Sequence, residues 1–320
     1  MVKRGMGLIA LLLCICLFLM PCSASAASTA DAKEPISPNR DCTISLTYRC
    51  NEKIFIGASV RLYHIATVSA DFQYTLTSLF ANSHLVLNGI RTAGEWDIVR
   101  STLESYILAN DIAETITAVT DSDGQVTFES LKTGLYFAAA VQATEDDTTC
   151  FFDSTLIAAP GLGADALWKY QVTVLPKPEV LPPIDPDEET QFKVLKLWKG
   201  DASANRPDTI EIELFRNGES YQTVILSEAT HWSFAWTAPA DGADWVVVER
   251  NIPSGYAMTV DERGTSFVIT NTLIPDSPET SPGDVGRTGD TSHTLLYTIM
   301  IYVSGMLLIL LGLLGKRKHI

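Results

Sequence analysis

Apolar residues fall on every second position through much of the middle of this chain. Between residues 190 and 275, Phe192, Val194 and Trp198 alternate with polar neighbours, and Ile210, Ile212 and Leu214 do the same. Asn217-Gly218 then makes a two-residue hairpin turn, with Val224 and Leu226 beyond it. Trp232, Phe234 and Trp236 repeat the pattern, and WVVVE (245–249) and SFVITN (266–271) add two more strands. Turns every ~8–12 residues between short strands predict a β-sandwich. Upstream, Ile44, Leu46 and Tyr48 alternate, and ASVRLYHIATV (58–68) is a second apolar run. A DSDG turn (121–124) precedes Val126 and Phe128. LYFAAAV (135–141) and the run from Phe151 to Ala158 read as buried strands, and Tyr170, Val172 and Val174 close this stretch. One segment keeps a helical period instead: Trp96, Val99, Leu103, Tyr106 and Ile107 recur at three- and four-residue spacing, predicting a helix near 95–110. The predicted fold class is therefore all-β: two immunoglobulin-like β-sandwich modules, 37–175 and 192–274, the first with a helical insertion.

Five stretches fall outside the alternation. Residues 1–26 read as a secretory signal peptide: Lys3 and Arg4, an apolar run from Leu8 to Met20, and a small-residue site at Ala24-Ser25-Ala26. A lipoprotein signal through Cys22 is disfavoured by Pro21 beside it. Residues 294–315, TLLYTIMIYVSGMLLILLGLLG, carry no charge and supply about 33 Å of helix, enough for a transmembrane span. KRKHI (316–320) follows as a basic cytoplasmic tail, which places the upstream chain outside the cell. Two Pro- and acid-rich segments complete the plan. Residues 176–191 are a semi-rigid linker between the modules, and 275–293 are a stalk too poor in apolar residues to fold.

Charge narrows the partners. The 320 residues carry a formal net charge of −15. Five of the 23 basic residues lie at the two ends, so 18 basic residues face 38 acidic ones elsewhere. Nucleic acid is excluded as a partner, because binding it needs a basic face. The histidines, at 64, 84, 231, 293 and 319, have no metal-ligand spacing, and no phosphate loop or hydrolase motif is present. Neither a metal nor a cofactor is expected, nor a turnover enzyme. DSDG begins like a calcium loop but lacks the later ligands. Outside the signal segment the cysteines are Cys42, Cys50 and Cys150. On one straight strand Cys42 and Cys50 lie ~26 Å apart and cannot bond, so either is left to pair with Cys150.

The candidate chemistry lies in residues of the wrong polarity for their phase. Side chains alternate along a strand, so Lys196 shares the face of Phe192, Val194 and Trp198. Glu249 likewise shares a face with Trp245 and Val247, and Asn271 with Phe267 and Ile269. Burying any one of them alone costs several kcal/mol, so they are expected to meet. Any one of them could instead be a strand-end polar group facing solvent; if they meet, two arrangements satisfy them. One is a Lys–Glu ion pair with Asn271 capping a strand edge. The other is reactive: an apolar site lowers the Lys pKa and raises the Glu pKa, leaving a neutral amine beside a proton shuttle. Protonated Glu249 then hydrogen-bonds the Asn271 carbonyl. Attack of Lys196 on the Asn271 carboxamide expels ammonia and leaves an isopeptide bond in a single turnover.

The strings FKVLKLWKGD (192–201), ELFRNGE (213–219), WSFAW (232–236), WVVVERNIPSGY (245–256) and SFVITNT (266–272) carry a family resemblance. In order and spacing this module resembles the collagen-adhesin B-type (Cna B-type) domains of Gram-positive surface proteins. The resemblance implies Lys196 as the reactive amine, Glu249 as the catalytic acid and Asn271 as the acceptor. RLYHIATV (61–68), the helix near 96–108, TDSDGQVTFESLKTGLYFAAA (120–140) and WKYQVTVLPK (168–177) resemble the N-terminal domain of backbone pilins. That implies Lys177 as the amine joined by a sortase to the next subunit, although Leu175 replaces the family's Tyr and Pro178 follows. The alternative is a linker lysine that never polymerises. This module has no core-facing Lys or Asn in its outer strands, so no internal isopeptide bond is expected there. VGRTG (285–289) ahead of the apolar span resembles a degenerate sortase motif, with Thr288 and Gly289 kept and the Leu-Pro pair lost. Cleavage between Thr288 and Gly289 would transfer the chain to peptidoglycan; otherwise the helix itself is the anchor.

Together these readings predict a cell-surface structural protein of a Gram-positive bacterium, a pilin-like or adhesin-stalk subunit held at the wall or membrane. Its partners would be sortase, peptidoglycan or other pilin subunits, and the membrane through the C-terminal helix. The rival is an adhesin that binds a host matrix protein or glycan through the first module.

Overall fold

The structure is a computed structural model that describes residues 34–146, 148–181, 188–202 and 206–274. The signal segment, the stalk 275–293, the apolar segment 294–315 and the basic tail lie outside the described residues. Among the described residues no helix is long and apolar enough to cross a membrane.

The first module contains β1 (Cys42–Thr47), β2 (Arg49–Cys50), β3 (Lys53–Ile54), β4 (Ser59–Val68), β5 (Tyr74–Leu76), helix α1 (Ala93–Ala109), β6 (Ile116–Val119), β7 (Gln125–Leu131) and β8 (Gly134–Ala138). It continues through β9 (Val141–Glu145), β10 (Thr148–Phe152), β11 (Thr155–Ala159), β12 (Gly161–Leu162), β13 (Trp168–Lys169), β14 (Gln171–Val174) and β15 (Pro178–Val180). One sheet runs β14-β1-β7 and the facing one β11-β8-β4-β5, with β6 also on β4. Ile44, Leu46 and Phe128 from the first meet Leu62, Tyr136 and Ile157 from the second in a shared core. The outer face of the second sheet is covered too. Tyr63, Ile65, Leu135 and Phe137 pack under Val99, Leu103 and Tyr106 of α1. Burial on both faces is why residues 135–138 read as an unbroken apolar run. The run predicted over 135–141 divides, with β8 ending at Ala138 and β9 starting at Val141.

The helix starts where its sequence says it should. Thr92 accepts from the backbone N–H of Glu95, and the Glu95 carboxylate accepts from the Thr92 N–H in return. This capping box satisfies two of the free donors of the first turn. DSDG is a turn: the Asp121 carboxylate accepts from the N–H groups of Asp123 and Gln125, each at 2.9 Å. Of the two pairings left open for Cys150, the structure has Cys50–Cys150; Cys42 is free and buried.

The second module is a sandwich of β16 (Glu189–Lys199), β17 (Thr209–Arg216), β18 (Glu219–Ser227), β19 (Ser233–Pro239), β20 (Trp245–Glu249), β21 (Tyr256–Arg263) and β22 (Ser266–Leu273). One sheet is ordered β19-β16-β22-β21 and the other β18-β17-β20. Val194, Phe267 and Ile269 face Ile212, Leu214 and Val247 across the core. Asn217 and Gly218 have φ of 54° and 79°, the left-handed pair a tight hairpin needs. Two details depart from the sequence pattern. Trp232, expected in alternation with Phe234 and Trp236, has φ 53° and precedes the strand. Strand β21 was not predicted, although Tyr256, Met258 and Val260 alternate; its charged end, Asp261-Glu262-Arg263, hides the pattern.

The modules lie in one compact unit. Helix α1 is the shared element. Its Leu108 and Ala109 pack on Phe215, Val246 and Val248, the outer face of the β17–β20 pair. Val260 N–H donates to Thr102 Oγ1 at 2.9 Å, and Arg250 Nη1 donates to the Ala109 carbonyl at 3.0 Å. The intervening Pro/acid segment is taken up at both ends: Pro178–Val180 pairs with Cys150–Phe152, and Glu189 opens β16.

Carboxylates collect at this interface around one guanidinium. Arg100 lies 3.3 Å from both Glu104 and Glu262, beside a cleft of about 230 Å³ also lined by Asp153 and Asp244. Burial, then the neighbouring Asp244 charge, pushes the Glu104 carboxyl up to about 8. Burial, then Glu262, pushes Asp244 up to about 6. Carboxyls that hold protons more tightly when folded stabilise most at low pH. Their contribution is full below the ordinary carboxyl range and is lost as pH rises through about 6 for Asp244 and about 8 for Glu104. The melting temperature should therefore fall from pH 5 to pH 9, and Glu104→Gln should flatten that slope. Parallel melting profiles for the two proteins would contradict this account.

Candidate functional site

The three polar residues in core-facing phase come together. Strands β16 and β22 run parallel, with Val194 opposite Phe267, Lys196 opposite Ile269 and Trp198 opposite Asn271. This register puts Lys196 and Asn271 on the inner face of one sheet, a diagonal step apart. Glu249, the last residue of β20, reaches them from the other sheet. Its strand partner and the following turn fix its place. Ile212 of β17 is its register partner, and Gly255, with φ 83°, turns the chain back into β21.

All three are buried, Lys196 at 2%, Glu249 at 1% and Asn271 at 0% exposure. Lys196 Nζ donates to Glu249 Oε2 at 2.9 Å. Asn271 Nδ2 donates to Glu249 Oε1 at 2.8 Å. One carboxylate thus holds an amine on one oxygen and a carboxamide on the other. The Asn271 nitrogen, not the carbonyl expected from sequence, faces Glu249, because an acceptor oxygen takes the NH2 donor. Asn271 Oδ1 is left buried with no partner among the described residues.

Burial lowers the Lys196 ammonium to about 8, and the attraction of Glu249 only partly offsets it. Roughly a tenth of such an amine is neutral at pH 7. The Trp198 ring covers Nζ at 4.8 Å from its centroid. Trp232 and Tyr256 meet that ring in T-shaped contacts, with centroids 5.4 Å away in each case. Outside it, Arg206 holds Asp201 through two bonds of 2.8 and 3.1 Å, and Tyr256 Oη donates to Asp201 at 2.9 Å. Sequence reasoning placed Trp198 on the inner face but gave it no part; its signal was its place two residues after a core-facing lysine.

Lys177 is exposed, just ahead of β15. Thr288 and Gly289 lie outside the described residues. Among the described residues no group of acids, histidines and cysteines is placed to hold a metal ion.

Comparison with known proteins bears on the second module above all. The chain is 29% identical over 99 residues to a collagen adhesin of Staphylococcus aureus, covering 28% of this chain and 8% of that protein. It thus spans less than a tenth of the length of that curated relative. Among solved structures, a single B repeat unit of the collagen-binding surface protein of Staphylococcus aureus shares 14% identity, with 74% of this chain and 99% of that one covered and a TM-score of 0.26. The major pilin SpaA of Corynebacterium diphtheriae shares 16%, covering 78% and 66%, with a TM-score of 0.27. TM-scores this low do not establish a common overall architecture. The family match is local to the sandwich that holds the buried trio: residues 192–272 match the Cna protein B-type domain.

Proposed function

We propose that this protein is a surface stalk or pilin-like subunit of a Gram-positive bacterium, and that its second module closes itself with a Lys196–Asn271 isopeptide bond. The observation that carries the reading is the Glu249 carboxylate, bonded to the amine at 2.9 Å and to the carboxamide nitrogen at 2.8 Å. A proton shift along the first bond turns the ion pair into a neutral amine and a carboxylic acid. The amine nitrogen then attacks the Asn271 carboxamide carbon. The acid is already in contact with Nδ2, the nitrogen that must leave, and supplies the proton with which it departs as ammonia. Fixed neighbours in a packed core provide the proximity an amide substrate requires. Lys196 and Asn271 sit in the first and last strands of the module, so the bond would tie its two ends together.

The partners proposed are other subunits, the cell wall and host matrix proteins, the last in view of the collagen adhesin match. Lys177, exposed at the end of the first module, is the amine proposed for joining subunits. Thr288 and Gly289 are the bond proposed for sortase processing, with residues 294–315 as the membrane anchor.

Intact mass tests the central claim. The wild-type chain should be one ammonia lighter than its sequence, and Glu249→Ala should return it to full mass. A wild type at full mass would reduce the trio to a buried ion pair.

A further inference from the structure

We propose that the indole N–H of Trp198 is the hydrogen-bond donor that stabilises the oxyanion formed on Asn271 during isopeptide formation. The inference rests on the isopeptide reading above. It starts from two unsatisfied atoms. Asn271 Oδ1, an acceptor, and Trp198 Nε1, a donor, are both buried with no partner among the described residues. A buried polar atom without a partner costs about 1–3 kcal/mol, so such atoms are rare and call for a cause. These two belong to residues paired in register across parallel strands, Trp198 opposite Asn271. Register partners in a parallel pair point to the same side of the sheet, here the interior.

The chemistry supplies the cause. The lone pair on Lys196 Nζ forms the new bond to the Asn271 carboxamide carbon, and the carbonyl π pair moves onto Oδ1. The Nζ proton goes to Glu249. Collapse restores the carbonyl, breaks the carbon–Nδ2 bond and releases ammonia with the proton Glu249 returns. An amine and a carboxamide become a secondary amide and ammonia, with no other reactant. Between the two steps Oδ1 carries a full negative charge in a site without water contact. In the resting arrangement both Glu249 oxygens serve the two nitrogens and neither meets Oδ1. Trp198, the register partner of Asn271, carries an indole N–H with no partner of its own among the described residues. Its ring is held in place by Trp232, Tyr256 and Arg206, and lies over the attacking nitrogen. A donor that is idle in the ground state and used only as charge develops lowers the barrier without stabilising the reactant.

The test separates the N–H from the ring. The full chain, made by cell-free synthesis and held unfolded in urea, is diluted to start folding, quenched in acid at intervals and weighed intact. Replacing Trp198 by benzothienylalanine keeps the bicyclic shape and removes the donor; Trp198→Phe keeps an aromatic cover. Both should lose ammonia about 10²-fold more slowly than wild type, the usual effect of removing one such donor. In a Glu249→Gln background, where no bond forms, the benzothienylalanine protein should melt with its Trp198 counterpart, which a purely structural role would not predict. Rates within threefold of wild type for the benzothienylalanine protein would overturn the inference. A wild type that loses no ammonia would instead overturn the isopeptide reading on which it rests.

Discussion

Lys196→Ala should melt at least 10 °C below the wild-type protein. The bond it removes would join residues 75 apart in sequence. In the chain-entropy description, a cross-link closing a loop of that length stabilises by about 4–5 kcal/mol. Each kcal/mol moves the midpoint by about 2–4 °C when some 200 residues unfold together, and by about twice that for a domain of under a hundred. The drop is thus about 10–20 °C if α1 keeps the modules melting as one, and larger if the second module melts alone. Truncating a buried lysine also leaves a cavity, which by itself destabilises. Glu249→Gln separates the bond from the cavity, because it keeps the volume and removes the proton shuttle, although it also takes the carboxylate from the buried Lys196 amine. Both variants should fall by similar amounts and become sensitive to protease together. If Glu249→Gln melts within a few degrees of wild type, no covalent bond was lost.

Loss of the Cys50–Cys150 disulfide should have an effect of the same order. The two cysteines are 100 residues apart and both buried, at 2% and 0% exposure. A loop of that length corresponds to about 4–5 kcal/mol. The bridge fastens the short β2–β3 arm to β10, beside the Tyr48, Phe55 and Phe152 cluster. Cys42 offers no replacement, since it is buried and burial pushes its thiol up to about 11, far from the reactive thiolate. Cys50→Ser should therefore lower the melting temperature by about 10–20 °C. Adding reductant should bring wild type down to the level of the variant and leave the variant unchanged. A wild type that melts unchanged after reduction in denaturant and refolding in reductant would show that the bridge contributes nothing.

The second module was readable because most of its strands bury one face in a single core. Period-two alternation exposes Val194, Ile212 and Val247, and by the same phase it exposes Lys196, Glu249 and Asn271 as polar residues among them. What failed was whatever depends on a partner far along the chain. Ser101, Thr102 and Ser105 of α1 are not among the residues of the predicted apolar stripe, yet all three are buried. The small side chains let the helix approach the second module closely, and periodicity carries no sign of that. Val246 and Val248 look like filler in an apolar run, but they are the outer face that receives α1. The cysteine pairing was left open because the sequence does not choose between Cys42 and Cys50 as the partner of Cys150; β1 ends at Thr47, and Cys50 sits in a separate arm. Pro178 marked a polyproline spacer, whereas Pro178–Val180 forms an edge strand, a place where proline is tolerated.

The helix shared by the two modules changes what dissection of the molecule would measure. Cutting at the Pro/acid segment, where composition invites it, would uncover Leu108 and Ala109 on one fragment and Phe215, Val246 and Val248 on the other. Fresh apolar surface of that kind adheres to other proteins and to itself. A fragment made this way would bind to coated plates and self-associate through this patch and pass for an adhesive module, whereas in the parent the seated helix covers the patch. Solubility and ligand capture are therefore properties of the pair, and an adhesion assay on either half needs the intact pair as its reference.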